Sequence, residues 1–296
     1  MKIKKETTLL DSSLNTSDFL NMPIFKYQYN YNIKIIDLQG YKQVYIYPLQ
    51  HFKQVKGNEK KQFKELDLII DTNYKKDYKE IQEKTKKVDF KNVIRSKLKC
   101  QRLIKANDKV WKSFITLTFK ENITDLSLAY KILYKKLHYI KTRIKKDFKW
   151  VCIPEYQKNG RVHYHLITNI ELNDKKLVSI QKYNGNLFYH LKIWENIGYN
   201  CIQTIKDKEG NDNKKICGYI SKYMTKQYIE DTFYNKNRYY CSQNLNKPKE
   251  YYVDSTSDRG IQILKTLIYN NELIYSNNYN DTFENNIQFL EFKELE

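Results

Sequence analysis

The sequence predicts an α+β fold: a central, mainly antiparallel β-sheet with flanking helices and extensions at both ends. Three observations predict it. WKSFITLTF (111–119) alternates, with Phe114, Thr116 and Thr118 on one face and Ile115, Leu117 and Phe119 on the other, as a half-buried strand does. KWVCIPEY (149–156) and RVHYHLITNI (161–170) read as two strands joined across an Asn-Gly turn signal, a hairpin. Segments at helical spacing lie between and after them, giving the order β-α-β-β-α-β-α. Hairpins of this kind imply an antiparallel sheet with helices packed on it.

Along the chain, residues 1–90 form an N-terminal accessory region, 91–235 a central domain and 236–296 a C-terminal extension. NIKIIDL and KQVYIYPL in the first 50 residues lean towards strand. Residues 53–110 are lysine-rich and more helical, and KNVIRSKLKCQRLIKAN (91–107) spaces Val93, Ile94, Leu98 and Leu103 along one face. From Leu126 to about Phe148, apolar residues recur at Leu126, Tyr130, Leu133, Leu137, Ile140 and Ile144, a helix that Asp125 or Thr124 would cap. LFYHLKIWENI (187–197) reads as a helix ending at Gly198. YNCIQTIK (199–206) reads as a strand, EGNDN (209–213) as a loop and ICGYISKYMTKQYI (216–229) as a helix. After about residue 235 the chain is polar and rich in Asn and Tyr, with no clear period.

Charge narrows the function. Lys+Arg is 53 against Asp+Glu 34 in 296 residues, a formal net charge of +19. That is the electrostatic footprint of a polyanion partner, most often nucleic acid. The basic residues are spread along the chain, which argues against a membrane-surface helix. The five cysteines, Cys100, Cys152, Cys201, Cys217 and Cys241, are odd in number and contain no C-x-x-C pair. A zinc ribbon and a disulfide framework are therefore not expected. The N-terminus has no continuous apolar core, and no stretch reaches the roughly 18 apolar residues that span a bilayer. A cytoplasmic protein is expected. The absence of G-x-x-x-x-G-K-[ST] argues against a fused helicase.

The chemistry gathers at EYQKNGRVHYHLI (155–167). Residues i and i+2 of a strand share a face, about 6.5–7 Å apart. His163 and His165 therefore present two imidazoles side by side, with Tyr164 facing away. Two imidazoles and a carboxylate suit a divalent cation with positions left open. Whether Glu155 joins them depends on the turn. A two-residue loop at Asn159-Gly160 would put Glu155 on the wrong face. A three-residue loop, Lys158-Asn159-Gly160, would place Glu155 opposite His163 and Gly160 at positive φ in a G1 bulge. The competing reading is a pair of ordinary strand histidines. His51, His138 and His190 stand alone and read as structural or surface residues.

GYISKYMTK (218–226) spaces Tyr219 and Tyr223, and Lys222 and Lys226, at i and i+4 on a helix. Tyrosine can serve as a covalent nucleophile, and a nearby lysine favours phenolate and offsets phosphate charge. Among 27 tyrosines the spacing also occurs at Tyr27/Tyr31, Tyr41/Tyr45, Tyr74/Tyr78 and Tyr130/Tyr134. Aromatic packing on an amphipathic helix would explain it too. The paired lysines and the position after the hairpin set GYISKYMTK apart.

In this order, FITLTF (114–119), EYQKNGRVHYHLI and YISKYMTK (219–226) resemble the three motifs of HUH endonucleases, above all the replication initiators (Rep) of small single-stranded DNA phages and rolling-circle plasmids. RYYCSQNLNKP (238–248) resembles a segment that follows the third motif in phage members. The resemblance covers about residues 91–250, and residues 1–90 match nothing in it. It implies an RRM-like nickase sheet with Glu155, His163 and His165 as ligands of Mg²⁺ or Mn²⁺. It also implies Tyr219 and Tyr223 as alternating nucleophiles, with Lys222 and Lys226 beside them. The implied reaction nicks single-stranded DNA at a replication origin, leaving a 5′-phosphotyrosine and a 3′-OH primer. Host helicase and polymerase would then be partners. Alternatives are a two-tyrosine transposase or a relaxase of the same superfamily, and a non-catalytic basic protein that binds single-stranded nucleic acid through an aromatic sheet.

Overall fold

The alternation in SFITLT becomes a central strand in a computed structural model that describes residues 29–53, 90–205, 237–280 and 285–295. In chain order the elements are β1 (Tyr29–Asp37), β2 (Tyr41–Lys53), α1 (Phe90–Lys105), β3 (Ser113–Thr118), α2 (Leu126–Tyr139), β4 (Trp150–Tyr156), β5 (Val162–Thr168), β6 (Val178–Tyr183) and β7 (Asn186–Leu191). Then follow β8 (Asn200–Thr204), β9 (Tyr240–Cys241), β10 (Lys249–Val253), α3 (Asp258–Asn270), β11 (Asn271–Asn280) and β12 (Asn286–Glu294). They divide into two compact units, one within residues 70–248, the other drawn from 1–69 and 249–296. All strand pairings among the described residues are antiparallel. The fold is α+β, as the sequence predicts.

The unit within residues 70–248 holds a sheet in the order β6-β7-β8-β3-β5-β4-β9. Its two faces differ. Ile115, Leu117, Tyr164 and Leu166 point to the side covered by α2, where Leu126, Ala129, Leu133 and Leu137 are buried with them. Asp125 is the N-cap of α2, its carboxylate accepting from Ser127 N at 2.7 Å. Truncating Leu133, which is fully buried, to alanine would cost about 2–5 kcal/mol. The helix is shorter than its apolar period suggests. After Tyr139 a single π turn, Ile140–Ile144, closes with Lys145 N on Ile140 O, and Phe148 lies beyond it in the core.

The opposite face carries the histidines. One end of it is covered by α1, whose Cys100, Leu103 and Ile104 pack with Phe114, Val151, Ile153, Ile167 and Leu245. The helix expected at 187–197 is instead strand β7 with a short 3₁₀ turn, Lys192–Trp194. Asn184 and Gly185 both take positive φ, 48° and 80°, and close a tight β6–β7 hairpin. Gly198 does not act as a left-handed helix cap. It lies against the end of β3, where Lys120 N donates to Ile197 O and Thr118 N to Tyr199 O, both at 2.8 Å.

The other unit is a sheet in the order β10-β1-β2-β12-β11. Helix α3, capped by Ser257, packs Ile263 and Leu267 against Ile33, Ile35, Val44, Tyr251, Val253 and Phe292 on one face. The β-leaning runs near the N-terminus thus pair with strands more than 200 positions away, as Asn32 and Ser255 illustrate at 2.7 Å. At the β1–β2 turn, Lys42 and Asp37 form a buried ion pair at 3.0 Å.

Candidate nuclease site

The turn takes the three-residue form. Gln157 N donates to Arg161 O at 2.9 Å, Gly160 N donates to Gln157 O at 2.8 Å, and Gly160 sits at φ +78°. Asn159 Oδ1 accepts from Arg161 N at 3.1 Å, a side-chain contact that stabilises the bend. Register follows from the turn: Glu155 pairs with His163, and Tyr156 with Val162. Glu155, His163 and His165 therefore share one sheet face. Tyr164 points the other way and is fully buried in the core under α2.

β3 supplies the next row. Thr118 lies opposite His163, and Thr116 opposite His165. Thr118 Oγ1 is 2.8 Å from His163 Nδ1, and Gln157 Nε2 lies 3.3 Å from the same nitrogen. Glu155 reaches diagonally past its register partner, so that Oε2 meets His165 Nε2 at 2.7 Å. Thr116 Oγ1 is 3.5 Å from His165 Nδ1, at the limit of a hydrogen bond. The two imidazole centroids are 4.7 Å apart, and Phe114 stacks near His165 with centroids 5.6 Å apart. His165 is buried, while His163 is half-buried at the wetter end of the face.

As donors, two imidazoles and a carboxylate fit a divalent cation. As the side chains stand, no three His, Cys, Asp or Glu groups among the described residues are gathered to hold one. The Glu155–His165 pair and the His163–Thr118 contact engage the donor atoms instead. Sequence reasoning did not assign roles to Thr118, Thr116 or Gln157. The alternation of FITLTF placed both threonines on one face, but only the β3–β5 register puts that face beside the histidines. Tyr219, Tyr223, Lys222 and Lys226 lie outside the described residues. His190 is not isolated, since its Nδ1 is 2.6 Å from Asn200 O.

On the far side of β5, the Tyr164 hydroxyl is a buried polar atom with no hydrogen-bond partner among the described residues. Burial pushes its pKa well above the ordinary tyrosine value. Tyr239 and Tyr240 are pushed up to about 12, mainly by burial. Cys100, Cys152, Cys201 and Cys241 are free thiols, and no helix among the described residues is long and apolar enough to cross a membrane.

Residues 112–228 match the family model for replication-associated proteins of the ORF2 type. The match supports a role in replication for this chain. It begins one residue before β3, takes in the hairpin, and extends through Tyr219, Tyr223 and Lys226. No curated protein and no solved structure matches the chain.

Proposed function

We propose that the protein is a rolling-circle replication initiator that nicks and rejoins single-stranded DNA at an origin through a 5′-phosphotyrosine. One observation carries the reading. The hairpin register puts Glu155, His163 and His165 on one face of a strand inside the segment that matches replication-associated proteins. Glu155, His163 and His165 would hold a divalent cation, Mg²⁺ or Mn²⁺, which when bound supplies Lewis-acid polarisation of the scissile phosphate. Thr118 and Gln157 orient the His163 ring from its Nδ1 side, leaving Nε2 to face outward.

Tyr219 or Tyr223 supplies the nucleophile. Its phenolic oxygen forms a new P–O bond as the 3′-oxygen leaves. The proton lost by the phenol is matched by one gained at the departing 3′-oxygen. One ester replaces another, so the energy for rejoining is conserved in the covalent intermediate. Lys222 and Lys226 offset the charge that develops on the phosphate oxygens. The free 3′-OH primes the host polymerase, and the second tyrosine allows a second nick without release of the first end.

The present placement of the side chains favours a second reading, a basic single-strand-binding domain. In it the Glu155–His165 pair is structural. One experiment separates the two. The protein is incubated with Mn²⁺ and labelled single-stranded origin DNA, and an SDS-stable adduct is sought. The nickase reading expects an adduct that disappears in the Tyr219→Phe, Tyr223→Phe double variant and on His163→Ala with DNA binding retained. DNA binding without an adduct under any divalent metal would leave the binding module. Metal affinity has its own readout. Mn²⁺ at about a hundred times its Kd should stabilise the folded chain by about 2.7 kcal/mol. His165→Ala should abolish that gain.

A further inference from the structure

The β6–β7 hairpin was not expected from the sequence, and it carries chemistry that the nuclease site does not use. Tyr189 lies opposite Ile202, which is buried in the core under α2. Because side chains alternate along a strand, Phe188 and His190 point to the histidine side of the sheet. Gln181 lies opposite Phe188, and Tyr183 follows it on the same face of β6. On β8, Cys201 lies opposite Thr116 of the histidine face, and Tyr199 just before β8 accepts from Thr118 N. The Tyr199 ring meets His190 edge-on with centroids 6.3 Å apart.

The result is a track. It runs from His163 and His165 on β5 across β3 and β8 to β7, three interstrand steps or about 14 Å. It ends on the hairpin tip. Its aromatic members are exposed: Tyr199 at 62%, Phe188 at 38% and Tyr183 at 68%. The reverse side of the same hairpin also exposes apolar groups, but these are aliphatic: Ile180 at 56% and Leu187 at 54%. Rings lie on the histidine side and branched chains on the other. Rings stack on bases of any sequence, and aliphatic groups do not.

We infer that Tyr199, Phe188 and Tyr183 form a stacking track that holds the single-stranded DNA flanking the scissile phosphate. The inference rests on the nickase reading for the position of that phosphate. Two observations commit the surface to DNA rather than to protein: its continuity with the histidine face, and the chain's net charge of +19. The track is sequence-tolerant, because stacking reads the π-face and not base edges. It positions DNA while origin selection lies elsewhere.

The test measures anisotropy of labelled oligothymidylate on the full chain, with adduct formation on origin DNA assayed in parallel. Tyr183→Ala, Phe188→Ala and Tyr199→Ala should each weaken single-strand binding about five- to hundredfold. Phe188→Trp should restore it, and Leu187→Ala, on the reverse side, should leave it near the wild type. Wild-type affinity in the alanine variants, with adducts still formed, overturns the track and spares the nickase. An equal loss in Leu187→Ala overturns the assignment to one face, since hairpin folding would then be what matters. A changed oligomeric state with DNA binding intact makes the hairpin a protein interface and overturns the inference. Binding that depends on the rings in a protein that forms no adduct supports the track and removes the nickase reading.

Discussion

Replacing Gly198 with alanine tests how the site is held. A Cβ there would lie 2.0 Å from Thr118 O, 2.6 Å from Lys120 N and 2.8 Å from the Phe119 carbonyl carbon. All three are backbone atoms, so no side-chain rotation relieves the clash, and the two segments must part. Three hydrogen bonds join them: Thr118 N to Tyr199 O at 2.8 Å, Lys120 N to Ile197 O at 2.8 Å, and Trp194 Nε1 to Thr118 O at 3.2 Å. Each contributes about 0.5–1.5 kcal/mol net, so losing all three costs roughly 1.5–4.5 kcal/mol. With a urea slope of about 2 kcal/mol per molar, the unfolding midpoint should fall by about 1–2 M. The damage should also reach the chemistry. Thr118 moves with its backbone, and Thr118 is the hydroxyl that His163 leans on. Urea titration followed by circular dichroism, paired with adduct yield per folded molecule, reads both effects. A wild-type midpoint would refute the close-approach account of Gly198. A lowered midpoint with unchanged yield per folded molecule would refute the link from Gly198 through Thr118 to His163.

Three further outcomes follow from the same geometry. Thr118→Val keeps the shape but removes the hydroxyl at His163 Nδ1, and should slow adduct formation about 10- to 100-fold while Thr118→Ser restores it; unchanged rates would exclude a positioning role. Tyr164→Phe deletes a buried hydroxyl that has no partner, so its melting temperature should be unchanged or higher, by an amount worth up to about 1–3 kcal/mol; a clear drop would mean that the hydroxyl is satisfied in solution. Tyr164, Tyr239 and Tyr240 keep their protons in the folded chain above the ordinary value of 10, whereas the unfolded chain loses them there. Stability from these groups is therefore full below pH 10 and lost as pH rises from 10 towards about 12, and Tyr240→Phe should shift the onset of alkaline unfolding upward in a spectrophotometric titration.

Two hairpins announced themselves by the same dipeptide, yet only one was legible. Asn159-Gly160 sits between two runs that alternate and contain no competing period, and the structure follows that pattern. Asn184-Gly185 is as strong a turn signal. It was overridden because Leu187, Leu191 and Trp194 fall at helical spacing in LFYHLKIWENI. Burial explains that spacing differently: Leu191 closes β7 and Trp194 belongs to the turn after it, and both reach the same core. A short segment that ends a strand and begins a turn can imitate one helical face. Gly198 was likewise visible as a residue that must be glycine, but for the wrong reason, since its need comes from a backbone 80 positions upstream.

The site itself divides along the same line between local and non-local information. Turn length fixes which of Glu155, His163 and His165 share a face, and turn length is written in five consecutive residues. The arrival of Thr118 at His163 is not, because it depends on pairing across 45 positions. Side-chain choice adds a third level. Register sets Glu155 opposite His163, yet its carboxylate goes to His165. Burial accounts for the preference. His165 is only 4% exposed and cannot rely on water, whereas His163 is half-buried and has Thr118 and Gln157 at its ring. An imidazole nitrogen buried without a partner would cost on the order of 1–3 kcal/mol, so the carboxylate goes where the penalty is larger. Any cation that enters must compete with that hydrogen bond. Metal binding and the Glu155–His165 contact are therefore linked, and the site is held in shape by the interaction that the metal has to break.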